Sequence, residues 1–95
     1  MSAEARLGAV LFALSDPLRR RVLERVAARP GATVSEICEG FEVSRFAVMR
    51  HLNVLEEAGI VVREPVGRER HVRLTEGGWD RVVRDWLAGL RKEEA

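Results

Sequence analysis

Apolar residues recur at a helical period in five stretches of this chain and alternate in one. From Ala3 to Leu14, the positions Leu7, Val10, Leu11 and Leu14 share one face and predict a first helix; Gly8 weakens it by at most about 1 kcal/mol relative to alanine. Ser15-Asp16-Pro17 stops it, because Asp16 suits an N-cap and Pro17 the first position of a second helix, where no N–H is needed. That helix turns Leu18, Val22, Leu23 and Val26 inward and ends before the turn signal Pro30-Gly31. Thr33-Val34-Ser35-Glu36 has the pattern of a capping box and opens a third, short helix to about Phe41, with Val34, Ile37, Cys38 and Phe41 apolar. Glu42-Val43 is then a tight connection.

The fourth stretch, Ser44 to Ala58, has an inside and an outside. Ser44 is a good N-cap, Ala47, Val48, Leu52 and Leu55 form one stripe of a 3.6-residue period, and Gly59 stands where a helix commonly ends in a left-handed cap. Arg45, Phe46, Met49, Arg50 and Asn53 are left to point away from the core. The period then changes: Ile60, Val61 and Val62 are β-branched, Arg63 to Arg70 holds Pro65 and Gly67, and His71 to Leu74 alternates. This predicts a β-hairpin with an arginine-rich loop. A fifth helix, about 78–92, closes the chain with the stripe Trp79, Val82, Val83, Trp86, Leu87 and Leu90.

Two helices joined by a short turn, the second capped and polar at its start, form a helix-turn-helix, and a hairpin placed after it is a wing. The predicted fold is mainly α with a small β-hairpin wing, a winged helix-turn-helix in the order α-α-α-α-β-β-α, occupying 1–95 as one domain. A capped helix with arginines and an amide near its start suits the major groove of double-stranded DNA. A chain of 95 residues buries only about 60 to 65% of the surface its unfolded form exposes. Two apolar stripes at opposite ends of so small a domain would leave a patch larger than monomers tolerate. Pairing the terminal helices across a two-fold axis removes it and sets two recognition helices about 34 Å apart, which predicts a homodimer on an inverted-repeat site.

Charge changes this picture little in sum and more in distribution. The net charge is +1, but fifteen of the sixteen basic residues are arginine, which forks onto phosphate, carboxylate or guanine. Cys38 stands alone, so no intrachain disulfide forms, and a reducing, cytoplasmic setting is expected. No secretory leader pattern and no run of roughly 18 apolar residues is present, so no membrane partner is expected. There is no glycine-rich phosphate loop, no nucleophile set beside a histidine and carboxylate in a familiar motif, and no paired metal ligands, so the chain does not read as an enzyme.

Ala13 to Leu23, Thr33 to Ile37, Val43-Ser44-Arg45 with Ala47-Val48 and Arg50-His51-Leu52, and Val54 to Val61 together resemble the arsenic-repressor (ArsR/SmtB-type) family of winged-helix regulators. The resemblance covers nearly the whole chain. It implies a dimer whose first and last helices form the interface, and a repressor whose recognition helices and wings grip a dyad-symmetric operator until an effector binds. The chain departs from the metal-sensing members. Thr33 and Ser35 stand where their third helix carries Cys-x-Cys. The last helix has Asp80, Asp85, Glu93 and Glu94 but no histidine, which argues against a metal or other cofactor. Phe46 and Met49 stand where relatives more often carry small or polar residues.

The candidate DNA contacts are Ser44, Arg45, Phe46, Met49, Arg50 and His51 on the recognition helix, with Arg68 and Arg70 on the wing. Phe46 and Met49 either pack against the wing or third helix, or touch thymine methyls. His51 is either a satisfied structural histidine or a phosphate donor. Arg63, Arg68, Arg70 and Arg73 either lie on a solvated strand partly neutralised by Glu64 and Glu69, or Arg68 and Arg70, next to Gly67, touch phosphate or the minor groove. Of Arg19, Arg20 and Arg21, most are expected at the surface or paired, Arg20 with Glu24, and one can reach phosphate. Cys38 reads as a small buried hydrophobe, with a redox role the alternative. Candidate interface residues are Leu7, Val10, Leu11 and Leu14 with Trp79, Val82, Val83, Trp86, Leu87 and Leu90; the alternative for the two tryptophans is an aromatic ligand pocket. The competing function is a protein-interaction winged helix, in which the same surface docks an acidic partner.

Overall fold

Capping chemistry cuts the chain into its helices. In the computed structural model, which describes residues 2–93, the elements are α1 (Ala3–Ala13), α2 (Pro17–Ala28), β1 (Ala32–Thr33), α3 (Val34–Cys38), α4 (Arg45–Glu57), β2 (Val61–Val66), β3 (Glu69–Leu74) and α5 (Trp79–Glu93). Glu94, the Glu93 side chain and both ends of the expected 1–95 span lie outside the described residues. Asp16 Oδ1 accepts from the Arg19 N–H at 3.0 Å and Pro17 takes the first helical position, as expected. The Thr33–Glu36 capping box is complete, with Glu36 N–H donating to Thr33 Oγ1 at 3.1 Å and Thr33 N–H to Glu36 Oε1 at 2.9 Å.

α4 begins at its Ser44 cap, whose hydroxyl accepts from Ala47 N–H at 3.1 Å. It ends in a Schellman motif: Gly59, at φ 77°, donates to the Glu56 carbonyl, and Ile60 donates to the Leu55 carbonyl, both at 3.0 Å. Leu55 and Ile60 are both fully buried, supplying the apolar contact that accompanies the motif.

Three expectations change. The third helix stops at Cys38 rather than near Phe41, because Glu39 turns extended and Gly40 takes φ 82°. Phe41 sits beyond it, half-buried, with the Arg25 and Arg21 guanidiniums 4.7 and 5.6 Å from its ring centre. The wing is longer and its loop shorter than 63–70, since the strands pair Val66 with Glu69 and leave Gly67-Arg68 as a two-residue turn. Gly67, at φ 63°, occupies the first loop position, where a II′ turn requires positive φ. Pro65 is tolerated because β2 is an edge strand. The third change is β1, which joins β3 through Ala32–Val72 and Thr33–His71 and makes a three-stranded antiparallel sheet in the order β1-β3-β2.

The core is one cluster drawn from every layer. Val10, Ala13, Val22, Val26, Ile37, Val48, Leu52, Leu55, Ile60 and Val72 are fully buried. Val10 and Ala13 bring α1 into the core with α2 to α4. The molecule is nonetheless elongated, 52 × 27 × 22 Å, with a Cα radius of gyration of 14.8 Å, against about 12 Å for a compact domain of this length. α5 packs on α1, and its second half leaves Trp86, Leu87 and Leu90 exposed.

Candidate nucleic-acid interface

The first two turns of α4 bury Val48 in the core and leave Arg45, Phe46 and Arg50 exposed. Phe46 is 72% exposed. Arg45 Nη1 donates to Ser35 Oγ at 2.9 Å, so α3 holds the first arginine of the recognition helix. Met49 does not point away from the core, as its position suggested; it is half-buried against it. Thr33, Val34 and Ser35, the start of α4 through Arg45 and Met49, and the wing through Arg68, Glu69 and Arg70 enclose an open cleft of about 310 Å³. The fold therefore brings Arg45, Arg68 and Arg70 together around one concavity. None of the four ion pairs among the described residues involves Arg45, Arg50, Arg68 or Arg70.

The other wing arginines are committed. Arg63 reaches back to α4, donating to Glu56 Oε1 at 2.7 Å, Glu56 Oε2 at 3.3 Å and Asn53 Oδ1 at 2.6 Å. Its side chain is only 11% exposed. The Arg63 side-chain hydrogen bond holds the Glu56 carboxyl below its ordinary pKa. The Asn53 side-chain oxygen thus holds the wing, although the residue remains exposed. Arg73 pairs with Glu64, while Glu69 meets His71 at 3.7 Å. The hairpin is fixed to the recognition helix by one arginine, and its tip keeps two others open.

Helix α1 carries no basic residue in its last turn, so its terminal carbonyls need partners from elsewhere. α2 supplies them. Arg19 Nε donates to Ala13 O at 2.7 Å and Nη2 to Phe12 O at 3.3 Å, and Arg20 Nη1 donates to Leu14 O at 2.7 Å. Arg20 therefore does not pair with Glu24. Arg19 is buried, 7% exposed, and is held by the Ala13 and Phe12 carbonyls and His51 rather than lying at the surface. Its Nη1 reaches His51 Nδ1 at 3.1 Å, so His51, half-buried, is tied to α2. The backbone hydrogen bond from Arg19 lowers the pKa of Asp16. Nothing in the composition announced this network; the readable signal was a first helix ending without a cation or glycine.

The expected interface residues divide. Val10 is fully buried in its own chain and cannot meet a second copy, a correction that follows from α1 joining the core. Leu14, Trp79 and Val83 are half-buried against that same core, and Leu7 and Val82 are half-buried. Leu11, Trp86, Leu87 and Leu90 remain exposed, joined by Phe12, which the stripe did not include. Cys38 is half-buried beside the core. Among the described residues no three His, Cys, Asp or Glu cluster as metal ligands would, and no helix is long and apolar enough to cross a membrane.

Residues 14–64 match the model of a helix-turn-helix domain family. The chain is 42% identical over 81 residues to the HTH-type transcriptional regulator Rv2034 of Mycobacterium tuberculosis, covering 85% of this chain and 67% of that one. It is 35% identical over 52 residues to the transcriptional repressor SdpR of Bacillus subtilis, covering 55% of this chain and 57% of that one. A solved ArsR-like transcriptional regulator from Rhodococcus sp. RHA1 superposes with a TM-score of 0.82 at 30% identity, over 96% of this chain and 85% of that one. The chain belongs to the ArsR family of winged helix-turn-helix regulators. As an ArsR-type protein it is a DNA-binding transcriptional regulator, and the recognition helix and wing of that fold are α4 and the β2–β3 hairpin.

Proposed function

We propose that this regulator is a homodimeric, cytoplasmic repressor that occupies an inverted-repeat operator without a metal cofactor. The observation that carries the reading is the open arginine-lined face shared by α4 and the wing tip. Arg45, Arg50, Arg68 and Arg70 all lie outside the ion pairs of the described residues, while the neighbouring Arg63 and Arg73 are neutralised. Arginines left open around a concave surface attract phosphate and release its counterions. Ser44, Arg45, Phe46 and Met49 stand where base edges lie, and Arg50, His51, Arg68 and Arg70 where the backbone runs. The exposed Leu11, Phe12, Trp86, Leu87 and Leu90 make up the apolar surface that a second copy covers. Repression follows from occupancy, in keeping with the name of the relative SdpR.

The test is binding to random duplex DNA across a salt series, with sedimentation at micromolar protein. A dimer that binds with a steep negative dependence on salt is expected. A monomer overturns the interface. Absence of DNA binding at low salt overturns the reading and favours a protein-docking module.

A further inference from the structure

Beside the recognition helix lies a second cleft, of about 250 Å³, lined by Arg19 of α2 and by Ala47, Arg50, His51 and Val54 of α4. Its chemistry is set by a buried group. A guanidinium carries donors only, so at 3.1 Å from Arg19 Nη1 the Nδ1 of His51 must be the acceptor. The proton of the neutral imidazole is then on Nε2, at the opposite side of the ring. Arg19 has no freedom to change this role, because its Nε and Nη2 are held by the Ala13 and Phe12 carbonyls at the end of α1. No buried side-chain nitrogen or oxygen lacks a partner among the described residues, and Arg19 is the one hydrogen-bonding partner of His51 there. The Nε2–H is therefore open to solvent.

No carboxylate lines this cleft. Asp16 is engaged at the α2 N-cap by the Arg19 N–H. The surroundings are two arginines, one buried and one exposed, and a fixed neutral donor. We propose that Arg19 is a positioning residue that locks His51 as the Nε2–H tautomer, so that Nε2 donates to one backbone phosphodiester of the bound duplex in this cleft. This rests on the DNA-binding reading above and goes beyond it in naming the protonation form, the atom and the residue that enforces it.

The consequence is specific. A neutral donor strengthens binding without displacing a counterion, whereas an arginine contact displaces nearly one. His51→Asn removes the donor at the Nε2 position, while His51→Gln places an amide nitrogen near it. Binding is measured on a duplex that the native protein recognises. His51→Asn is expected to weaken it by on the order of tenfold, with the slope of log affinity against log salt unchanged, and His51→Gln to restore most of the loss. Scanning the duplex with uncharged methylphosphonates is expected to reveal one position at which His51→Asn no longer matters. Nitrogen NMR of the native full chain at about pH 8, where histidine is ordinarily neutral, is expected to show His51 protonated at Nε2. Arg19→Lys, read by the same spectrum, is expected to release a mixture of tautomers.

A native His51 carrying its proton on Nδ1, or full affinity in His51→Asn, overturns the proposal. So does a fall in the salt slope of about 0.9 in His51→Asn, which identifies a cationic contact instead. Should Arg19→Lys fail to fold, the native spectrum and the two His51 variants still decide. Absence of any DNA binding by the native protein overturns the underlying reading as well, whereas native binding that His51→Asn leaves intact overturns this inference alone.

Discussion

Arg45 enters the solvent from the first turn of α4 with Nη1 already held by Ser35 Oγ at 2.9 Å, so part of the ordering cost of a base contact is met before DNA arrives. Arg45→Ala is expected to cost about 1 to 3 kcal/mol at one or two base positions, measured on single-site operator variants. A loss spread evenly over all positions would assign it to phosphate. Phe46 next to it is 72% exposed, which suits apolar contact with a thymine methyl. Replacing thymine by deoxyuridine across a half-site removes only methyl groups. One position should then weaken native binding severalfold and leave Phe46→Ala binding unchanged; equal effects on both proteins would remove Phe46 from base reading. Residues of this kind were legible because their helix is strongly periodic. Arg19 and Asn53 were not, since a buried arginine and a wing-bound amide depend on partners 32 and 10 positions away in the chain.

At the scale of elements, the wing is oriented by the fork between Arg63 and Glu56, and by the Schellman turn that launches β2. Gly59 has no heavy atom within 4 Å of where a Cβ would stand, so Gly59→Ala tests backbone strain alone. A loss of about 1 to 2 kcal/mol in denaturant unfolding is expected, from the φ of 77°. Glu56 has its pKa lowered below the ordinary 4.5 by Arg63, so its contribution is complete above that value and is lost as pH falls through the lower folded value. Glu56→Gln should cost up to about 1 kcal/mol at neutral pH, solvent screening included, and should flatten the stability profile on the acid side. An unchanged acid limb would show that the pair does not fix the wing. The helices could be read from caps and stripes, down to the Thr33–Glu36 box and the Asp16-Pro17 start. β1 could not, because two residues carry no period, and the strand exists only through its pairing with Val72 and His71. The hairpin loop was read too long for a related reason: Pro65 and the charges look like a loop until β2 is known to be an edge.

For the whole molecule, the 52 Å length and the exposed far half of α5 are what the proposed pairing of two copies would account for. The sequence located both terminal stripes but could not divide them, because whether Val10 faces its own core or a neighbour is settled by how α1 docks. Trp86→Glu with Leu87→Glu places two charges on this face without touching the buried cluster. It is expected to yield a folded monomer in sedimentation and to cost more than tenfold in affinity for a two-half-site duplex; a dimer of native affinity would place the interface elsewhere. The most direct measurement is selection of bound sequences by the native protein from a random duplex pool. The expected outcome is an inverted repeat whose half-sites lie about one helical turn apart, with thymine favoured where Phe46 lies. Recovery of unsymmetrical sequences, or no enrichment at all, would contradict a dimer that reads DNA through paired α4 helices.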